Sequence, residues 1–424
     1  MSFRKRSEII GTPSVPGRGP APVSRPINLS GRAPPAVRSI PNRGSPSQTT
    51  EQDDLNKILK NPAVRPSLIT SQPTVSTGGS DLDKLLLHQG LPTGNSLLIQ
   101  ESGTTDFSAV LLRSFASQGV IQNRVVKDQL NCHVIAVGVS LQWANDLPGL
   151  YKGSTKEQKK AKIMAHESKV SVSNLTNSGA SAARNEDLKI AWRYGLNKKN
   201  QAQENESGSY EHYNNQFDIT QKLVPGPSSQ DISFVPVSTN FAQIIQQISM
   251  IIERQLKQSP SKIIRITLPG LLNPSIYSPI CSMPSFITPF IHSLRSILRK
   301  YDNNVVLLAS IPLDLYPRDS SVTCTLESLF DSVIHLQPFN QEMMQLIEKA
   351  YKNEPAKIQQ GLINIIKLPV LSERGLMMIH DGEYAFKNGR KKFEIEEWGI
   401  PVEDDSKDDE HNHEGAQTTK NIEF

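Results

Sequence analysis

Apolar residues recur along the middle of the chain with two different periods, which predict buried strands and amphipathic helices. Short apolar runs bounded by turn residues predict strands, at residues 96–99, 132–139, 232–237, 262–268, 305–311, 331–336, 361–368 and 377–379. Apolar positions three and four residues apart predict helices, after residue 106 and over residues 240–256, 284–301 and 325–330. Because strands and helices alternate, we expect an α/β fold with a mostly parallel central sheet flanked by helices.

Turn and cap signals mark both ends of this region. An Asn-Gly pair between two short β-like runs predicts that residues 384–393 form a C-terminal antiparallel hairpin. Near the other end, Ser80 is placed to cap a helix, and Asp83 suits the dipole of its first turn. This helix is expected to end at Gly90, before the first core strand.

Composition divides the chain into three parts. Residues 1–66 are rich in Pro, Arg, Ser and Gly and are predicted to form a disordered basic arm, because they hold too few apolar side chains to offset the entropy of ordering. Residues 67–402 are predicted to be the folded domain, with a long insertion at about 141–231. Residues 403–424 hold eight acids against two lysines and are predicted to be a disordered acidic tail.

The first core strand, its polar turn and the following helix have the arrangement of a phosphate-binding P-loop, G-x-x-x-x-G-K-[ST]. The eight aligned positions run from Gln100 to Phe107. Gln100 and Thr105 stand where the motif has its two glycines, and Gly103 lies between them. Asp106 replaces the lysine that contacts the phosphates, and Phe107 replaces the hydroxyl that binds Mg²⁺. The sequence therefore predicts a nucleotide-binding scaffold with a degenerate P-loop and no catalytic residue.

The acid that a P-loop ATPase places at the end of a second buried strand is also missing. The strand at residues 262–268 ends in Pro269, without a carboxylate. Asp314 lies three residues beyond the end of the next predicted strand, and Asp331 begins a strand rather than ending one. Two independent losses argue against ATP hydrolysis by this chain alone. No H-E-x-x-H or G-x-S-x-G motif indicates other chemistry, and no metal site is expected.

Cysteine usage and hydropathy bear on the location of the protein. Cys132, Cys281 and Cys324 are far apart and form no C-x-x-C pair, which favours a reducing compartment over a disulfide framework. The charged N-terminal residues hold no apolar core long enough for a signal peptide, and no apolar stretch approaches the length of about 18 residues that spans a membrane. We expect a cytoplasmic and nuclear protein without membrane contact.

Two basic segments are candidates for RNA contact. The insertion holds eleven basic residues against four acids over residues 152–199, among them Lys189 and Arg193. The C-terminal hairpin carries a second group of cations, which could reach phosphates, at Lys387, Arg390, Lys391 and Lys392. Charge runs are also common on solvated faces that bind nothing, so both interpretations stay open at this point.

Several segments resemble known families. The stretch STGGSDLDKLLLHQGLPTGNSLLI at residues 76–99 resembles the segment that precedes the P-loop in RecA-like ATPases of the circadian-clock and recombinase type, and DSVIHLQPFNQE at 331–342 resembles a late strand of that core. Over most of residues 66–402 the chain is similar to the family of fungal fourth subunits of the Elongator complex, on the motifs LPGLYKG, DLKIAWRY, HYNNQFDIT, PFNQEM and AFKNGRKKFEIEEWGIPV.

The resemblance implies a RecA-like fold and a place in an assembly. Members of this family join the fifth and sixth Elongator subunits in a heterohexameric accessory ring. The ring is similar to a hexameric ATPase and binds tRNA during wobble uridine modification, while the catalytic core of Elongator is a different chain. Older accounts connect the complex with transcription elongation.

The resemblance also bears on cofactors and on activity. It implies that no cofactor is bound by this chain alone and that ATP is used at subunit interfaces of the ring. No P-loop residue of the wider RecA-like family is carried onto this chain, because residues 100–107 depart from the motif. The alternative is an active RecA-type ATPase or motor on nucleic acid, for which the degenerate loop is the discriminating feature.

Overall fold

The computed structural model describes residues 55–126, 129–153, 159, 210, 212–352, 354–369 and 382–399. These residues belong to one compact unit that spans residues 47–424. Four predictions lie outside the described residues: most of the basic arm, the strand at 377–379, the acidic tail, and the cations Lys189 and Arg193.

A nine-stranded sheet forms the centre of the fold. Six strands pair in parallel: β4 (Ser96–Glu101), β5 (Cys132–Val137), β8 (Ile232–Val235), β9 (Ile263–Leu268), β10 (Val305–Pro312) and β11 (Ser332–Pro338). Three more continue the sheet in antiparallel fashion: β12 (Gly361–Lys367), β13 (Tyr384–Asn388) and β14 (Phe393–Glu397). The order across the sheet is β14-β13-β12-β11-β4-β10-β9-β5-β8. The predicted mostly parallel sheet and C-terminal antiparallel hairpin are confirmed.

Helices cover both faces of this sheet. They are α1 (Ser80–Leu85), α2 (Phe107–Gln122), α3 (Leu141–Asn145), α4 (Phe241–Gln258), α5 (Pro284–Lys300), α6 (Ser321–Leu329) and α7 (Gln341–Ala350). Side chains of β4 alternate between two cores, as the pleat of a strand requires. Leu98 packs in the core with α4 and α5, whereas Leu97 and Ile99 pack in the core with α1 and α2. In the described part of the chain, none of the helices has the length and apolar character needed to span a bilayer.

Two small sheets lie outside the central one, and the first of them begins before the predicted domain boundary. β1 (Val64–Pro66), β2 (Pro73–Val75) and β3 (Leu91–Pro92) form an antiparallel sheet, and β6 (Pro148–Leu150) pairs with β7 (Phe217–Lys222). Ile58 and Val64 are buried in the core, so folded structure begins before residue 67. The insertion at 141–231 also holds ordered elements, because α3, β6 and β7 all lie within it.

Some helices begin at other residues than predicted, because capping hydrogen bonds determine where a helix starts. The side chain of Ser80 does not cap α1, since the helix begins at that residue and Gly79 holds the N-cap position without a side-chain bond. α6 begins four residues before residue 325, because the hydroxyl of Ser320 accepts from the backbone N–H of Thr323. α7 was not predicted, although Asn340 caps it through the backbone N–H of Met343.

Candidate functional site

The degenerate loop lies where open α/β sheets bind ligands, beyond the carboxyl ends of parallel strands. It leaves β4 at Glu101, between the neighbouring strands β10 and β11, and enters α2 at Phe107. A cleft of about 250 Å³ lies beside it, lined in part by Glu101, Asp106, Arg113 and Trp143. The loop therefore has the position of a nucleotide site.

The carboxylate of Glu101 occupies the N-terminus of α2. One oxygen accepts from the backbone N–H of Phe107 at 2.7 Å and from the hydroxyl of Thr105 at 2.7 Å. The other oxygen accepts from the backbone N–H of Ser108 at 3.0 Å. A helix N-terminus favours an anion through its free N–H groups and its dipole, and in a P-loop that anion is a phosphate. Here the chain supplies the anion itself.

A second carboxylate closes the other side of the loop. Gly103 has a φ of +86°, which favours glycine, and its backbone N–H donates to Oδ1 of Asp314 at 3.0 Å. Asp314 therefore contacts the loop from a position just beyond the end of β10. The sequence predicted this position but no role for the residue. Together, Glu101 and Asp314 accept from three backbone donors that would otherwise point toward a phosphate.

Asp106 adds a further negative charge at the position of the missing lysine. It is exposed and holds the N-cap position of α2, yet its side chain makes no capping hydrogen bond. Desolvation raises the pKa of Asp106, the charge of Glu101 acts in the same sense, and Arg113 opposes both. Since like charges repel, this group of acids disfavours an added phosphate.

Phe107 anchors the loop to the C-terminal strands. Its ring meets Phe386 of β13 edge-on, with centroids 4.9 Å apart and planes at 61°. Phe386 is fully buried and stacks on Phe393 of β14 at 5.6 Å. The position that binds Mg²⁺ through a hydroxyl in a P-loop is thus an aromatic contact within the core.

The start of the loop is tied to its neighbours by polar contacts. Gln100 is fully buried and donates from Nε2 to Oε1 of Glu327 at 2.8 Å. Ser102 shares a hydrogen bond of 2.7 Å with Nε2 of His335 on β11. Desolvation lowers the pKa of His335, which favours the neutral imidazole. These contacts leave the loop little freedom to move toward a ligand.

The strand ends at which a P-loop ATPase would carry a magnesium-binding acid have structural roles here. Just beyond β9, the backbone N–H of Gly270 donates to the hydroxyl of Ser310 at 2.9 Å. Asp331 lies at the opposite end of the sheet, where it accepts from the N–H of Ser96 at 3.0 Å and pairs with Arg299 at 2.7 Å. As predicted, Asp331 precedes its strand and does not face the loop.

The four hairpin cations fall into two groups. Lys387 lies 3.2 Å from carboxylates of Glu394 and Glu396. Lys392 lies 4.0 Å from the centre of the Tyr151 ring. The side chains of Arg390 and Lys391 are exposed. The hairpin itself docks on β7, since the N–H of Ile219 donates to the carbonyl of Lys391 at 2.9 Å.

The segment before the loop contains a buried polar network that the sequence did not reveal. Asp83 is 2% exposed and accepts from both hydroxyls of Ser76 and Thr77 at 2.6 Å, and from the side-chain amide of Asn214 at 2.7 Å. Burial raises the pKa of Asp83 to about 6, although the hydrogen bonds from Ser76 and Thr77 and the charge of Arg265 lower it. Arg265, also fully buried, donates to the carbonyl of Ser76 at 2.7 Å.

The chain is similar to proteins of one family. The family described as PAXNEB protein matches residues 57–424. "Elongator complex protein 4" of Saccharomyces cerevisiae is 41% identical over 95% of this chain and 92% of its own length. Proteins of the same name from Schizosaccharomyces pombe (27% identical, 82% of this chain and 91% of theirs) and Homo sapiens (26%, 86% and 85%) are also similar. With a family match over most of its length and a yeast relative this close, the chain belongs to the PAXNEB family, together with these Elongator proteins.

Proposed function

We propose that this chain is a non-catalytic, RecA-like subunit of the Elongator accessory ring. In this proposal it assembles with the fifth and sixth subunits into a heterohexamer next to the catalytic core, in cytoplasm and nucleus. The ring supports tRNA binding and release during wobble uridine modification. The observation that carries the non-catalytic part is the carboxylate of Glu101 at the N-terminus of α2.

Two features support the RecA-like part of the proposal. β4, the loop and α2 have the strand–loop–helix order of a P-loop, in a parallel sheet with helices on both faces. The segment at residues 76–99, which resembles the RecA-like sequences, forms α1, β3 and the beginning of β4 directly before that loop. The scaffold is therefore kept while the chemical groups of the motif are absent.

The energetics of the loop support the absence of catalysis. A phosphate at the N-terminus of α2 would have to displace Glu101, and hydrogen bonds to charged groups contribute about 1.5–3 kcal/mol each. The displaced carboxylate would then lie near the phosphate, together with Asp106 and Asp314, without a lysine to offset the charge. We infer that ATP in the ring is held at interfaces where partner subunits supply the missing groups in trans.

Assembly and turnover test this proposal directly. Native mass spectrometry of the chain with its two partners should show a heterohexamer, and the purified chain alone should show no Mg²⁺-ATP turnover. A chain that stays monomeric with both partners present would contradict the ring. Turnover by the chain alone that is abolished in Asp106→Ala would instead favour the motor alternative.

Salt-dependent tRNA binding tests the contribution of the hairpin. Arg390→Glu with Lys391→Glu should weaken binding of tRNA to the ring and make it less dependent on salt, because phosphate contacts release counterions. Lys300→Glu, an exposed lysine at the end of α5, is the matched control. Unchanged affinity in the hairpin variant would exclude these two side chains as phosphate contacts.

A further inference from the structure

A cleft of about 280 Å³, distinct from the one at the loop, combines an aromatic ring with cations and amides. Its lining contains Arg65 from β1, Asp83 and Lys84 from α1, and Gln89, Tyr210 and Asn214. The guanidinium carbon of Arg65 lies 5.4 Å from the centre of the Tyr210 ring. Within the described ranges Arg65 forms no salt bridge, and the carboxylate of Asp83, which also lines the cleft, is bonded to Ser76, Thr77 and Asn214.

The floor of this cleft is preformed. Tyr213 is 3% exposed, and its hydroxyl donates to the carbonyl of Gln89 at 2.9 Å and contacts the hydroxyl of Thr74 at 3.1 Å. The chain passes so closely that a Cβ on Gly90 would clash with that hydroxyl. Gln89 has a φ of +56°, a strained value for a residue with a side chain. A site held in this way needs little reorganisation to bind a ligand.

The groups at the rim are those that recognise a single nucleotide. Arg guanidinium planes and Tyr rings stack on unpaired bases. Asn214 donates its amide N–H to Asp83, which leaves its carbonyl oxygen as an acceptor, and Gln89 adds a second amide. The side chain of Lys84 is 72% exposed and pairs with Asp81 only at 3.3 Å, a surface contact that contributes little. This lysine can therefore turn to a phosphate.

The helix α1 connects the cleft with the hairpin described above. Ser80 and Lys84 of α1 line it, and α1 packs on β14, where the N–H of Ile395 donates to Asp81 at 3.4 Å. β14 follows directly on the hairpin turn that exposes Arg390 and Lys391. A strand of nucleic acid that contacts these two cations thus has a route across α1 to the cleft.

We propose that the cleft formed by Arg65, Lys84 and Tyr210 binds one unstacked nucleotide of a single-stranded RNA segment. The base stacks on the guanidinium plane of Arg65, which Tyr210 supports, and Gln89 or Asn214 contacts the base edge. The phosphate lies against Lys84. This inference rests on the RNA-binding part of the proposed function and adds to it a specific site and a preference for unpaired RNA.

The test uses the assembled ring and fluorescence anisotropy. The probes are an oligouridine of about ten nucleotides, within the usual site size for single strands, a duplex RNA of the same length, and tRNA. Tyr210→Leu and Arg65→Lys should each weaken oligouridine binding about tenfold, because stacking is lost, with an unchanged salt slope and unchanged duplex binding. Lys84→Gln should lower the salt slope for the single strand by about 0.7. Lys300→Gln is the control, and ring assembly and melting temperature verify folding.

Each outcome separates this inference from the proposed function. If the wild-type ring binds tRNA and oligouridine and both stacking variants bind oligouridine equally well, the cleft is not the site. If the ring binds tRNA but not oligouridine, the preference for unpaired RNA is wrong. If the ring binds none of the three probes, the RNA-binding part of the proposed function fails, and the site fails with it.

Discussion

Replacing Glu101 with alanine removes the internal anion from the N-terminus of α2. The N–H groups of Phe107 and Ser108 then lose their acceptor, and the hydroxyl of Thr105 loses its partner. Loss of a helix cap costs about 1–2 kcal/mol, and loss of a favourable charge at the dipole adds about 0.3–1 kcal/mol. Since water from the adjacent cleft can solvate these donors, we expect a total destabilisation of about 1–3 kcal/mol.

Urea and thermal denaturation measure this loss, and hydrogen exchange locates it. Each kcal/mol lowers the melting temperature by about 2–4 °C in a domain of 150–250 residues and by less in a larger one, so we expect a fall of about 5 °C here. Amide exchange at Phe107 and Ser108 should accelerate in Glu101→Ala, while exchange in the middle of α2 changes less. Glu101→Gln, which keeps one acceptor oxygen without the charge, should lose roughly half as much stability.

A control variant and a ligand-binding test can each contradict the role assigned to Glu101. Glu253→Gln removes a surface carboxylate that pairs with Lys300 at 3.5 Å, and it should change stability by less than about 0.5 kcal/mol. Wild-type stability in Glu101→Ala would show that the carboxylate does not hold the helix end. Stabilisation of the wild-type chain by pyrophosphate, lost on substitution of Gly103, would show that a phosphate binds there after all.

Three further perturbations have defined outcomes. The raised pKa of Asp83 means that its contribution to stability is full below about pH 4 and is lost as pH rises through about 6, so Asp83→Asn should flatten that part of a urea-midpoint profile relative to wild type. Phe107→Ala should cost about 2 kcal/mol and loosen β13 and β14 in hydrogen exchange, because the edge contact with Phe386 is lost, whereas Phe107→Leu should cost less. Asp331→Ala should cost about 2 kcal/mol by denaturation, since it leaves the N–H of Ser96 without an acceptor and the half-exposed guanidinium of Arg299 without its partner, and equal stability would contradict the assigned role.

Local patterns were sufficient to predict most of the central sheet. Buried parallel strands are near-continuous apolar runs, and amphipathic helices repeat with a period that the sequence displays, so β4, β9 and β10 were found within two residues. The pairing of β6 with β7 was not predictable, because 66 residues separate Leu150 from Phe217 and neither strand is strongly patterned. Pairing over such a distance is decided by packing rather than by local preference.

For the candidate site, the sequence predicted only that the chemical groups of the P-loop motif are missing. The P-loop motif allows any residue at its second position, so the motif predicts no role for Glu101, which stands there. A signal was nevertheless present. Glu101 is an acid at the end of a strand, six residues before Phe107 at the start of α2, and the N-cap residue Asp106 does not cap that helix. Asp314 could not be connected with Gly103, since 211 positions separate them and only the sheet order brings them together.

The burial of Phe386 has a consequence for biosynthesis. This ring covers Phe107 and the core around it, yet it belongs to β13, close to the C-terminus of the chain. On the ribosome, chains emerge from the N-terminus, so α2 is exposed to solvent long before its cover has been translated. Until β13 and β14 have been added, the aromatic face of the nascent domain is open to chaperones, and a stalled or truncated chain displays it permanently.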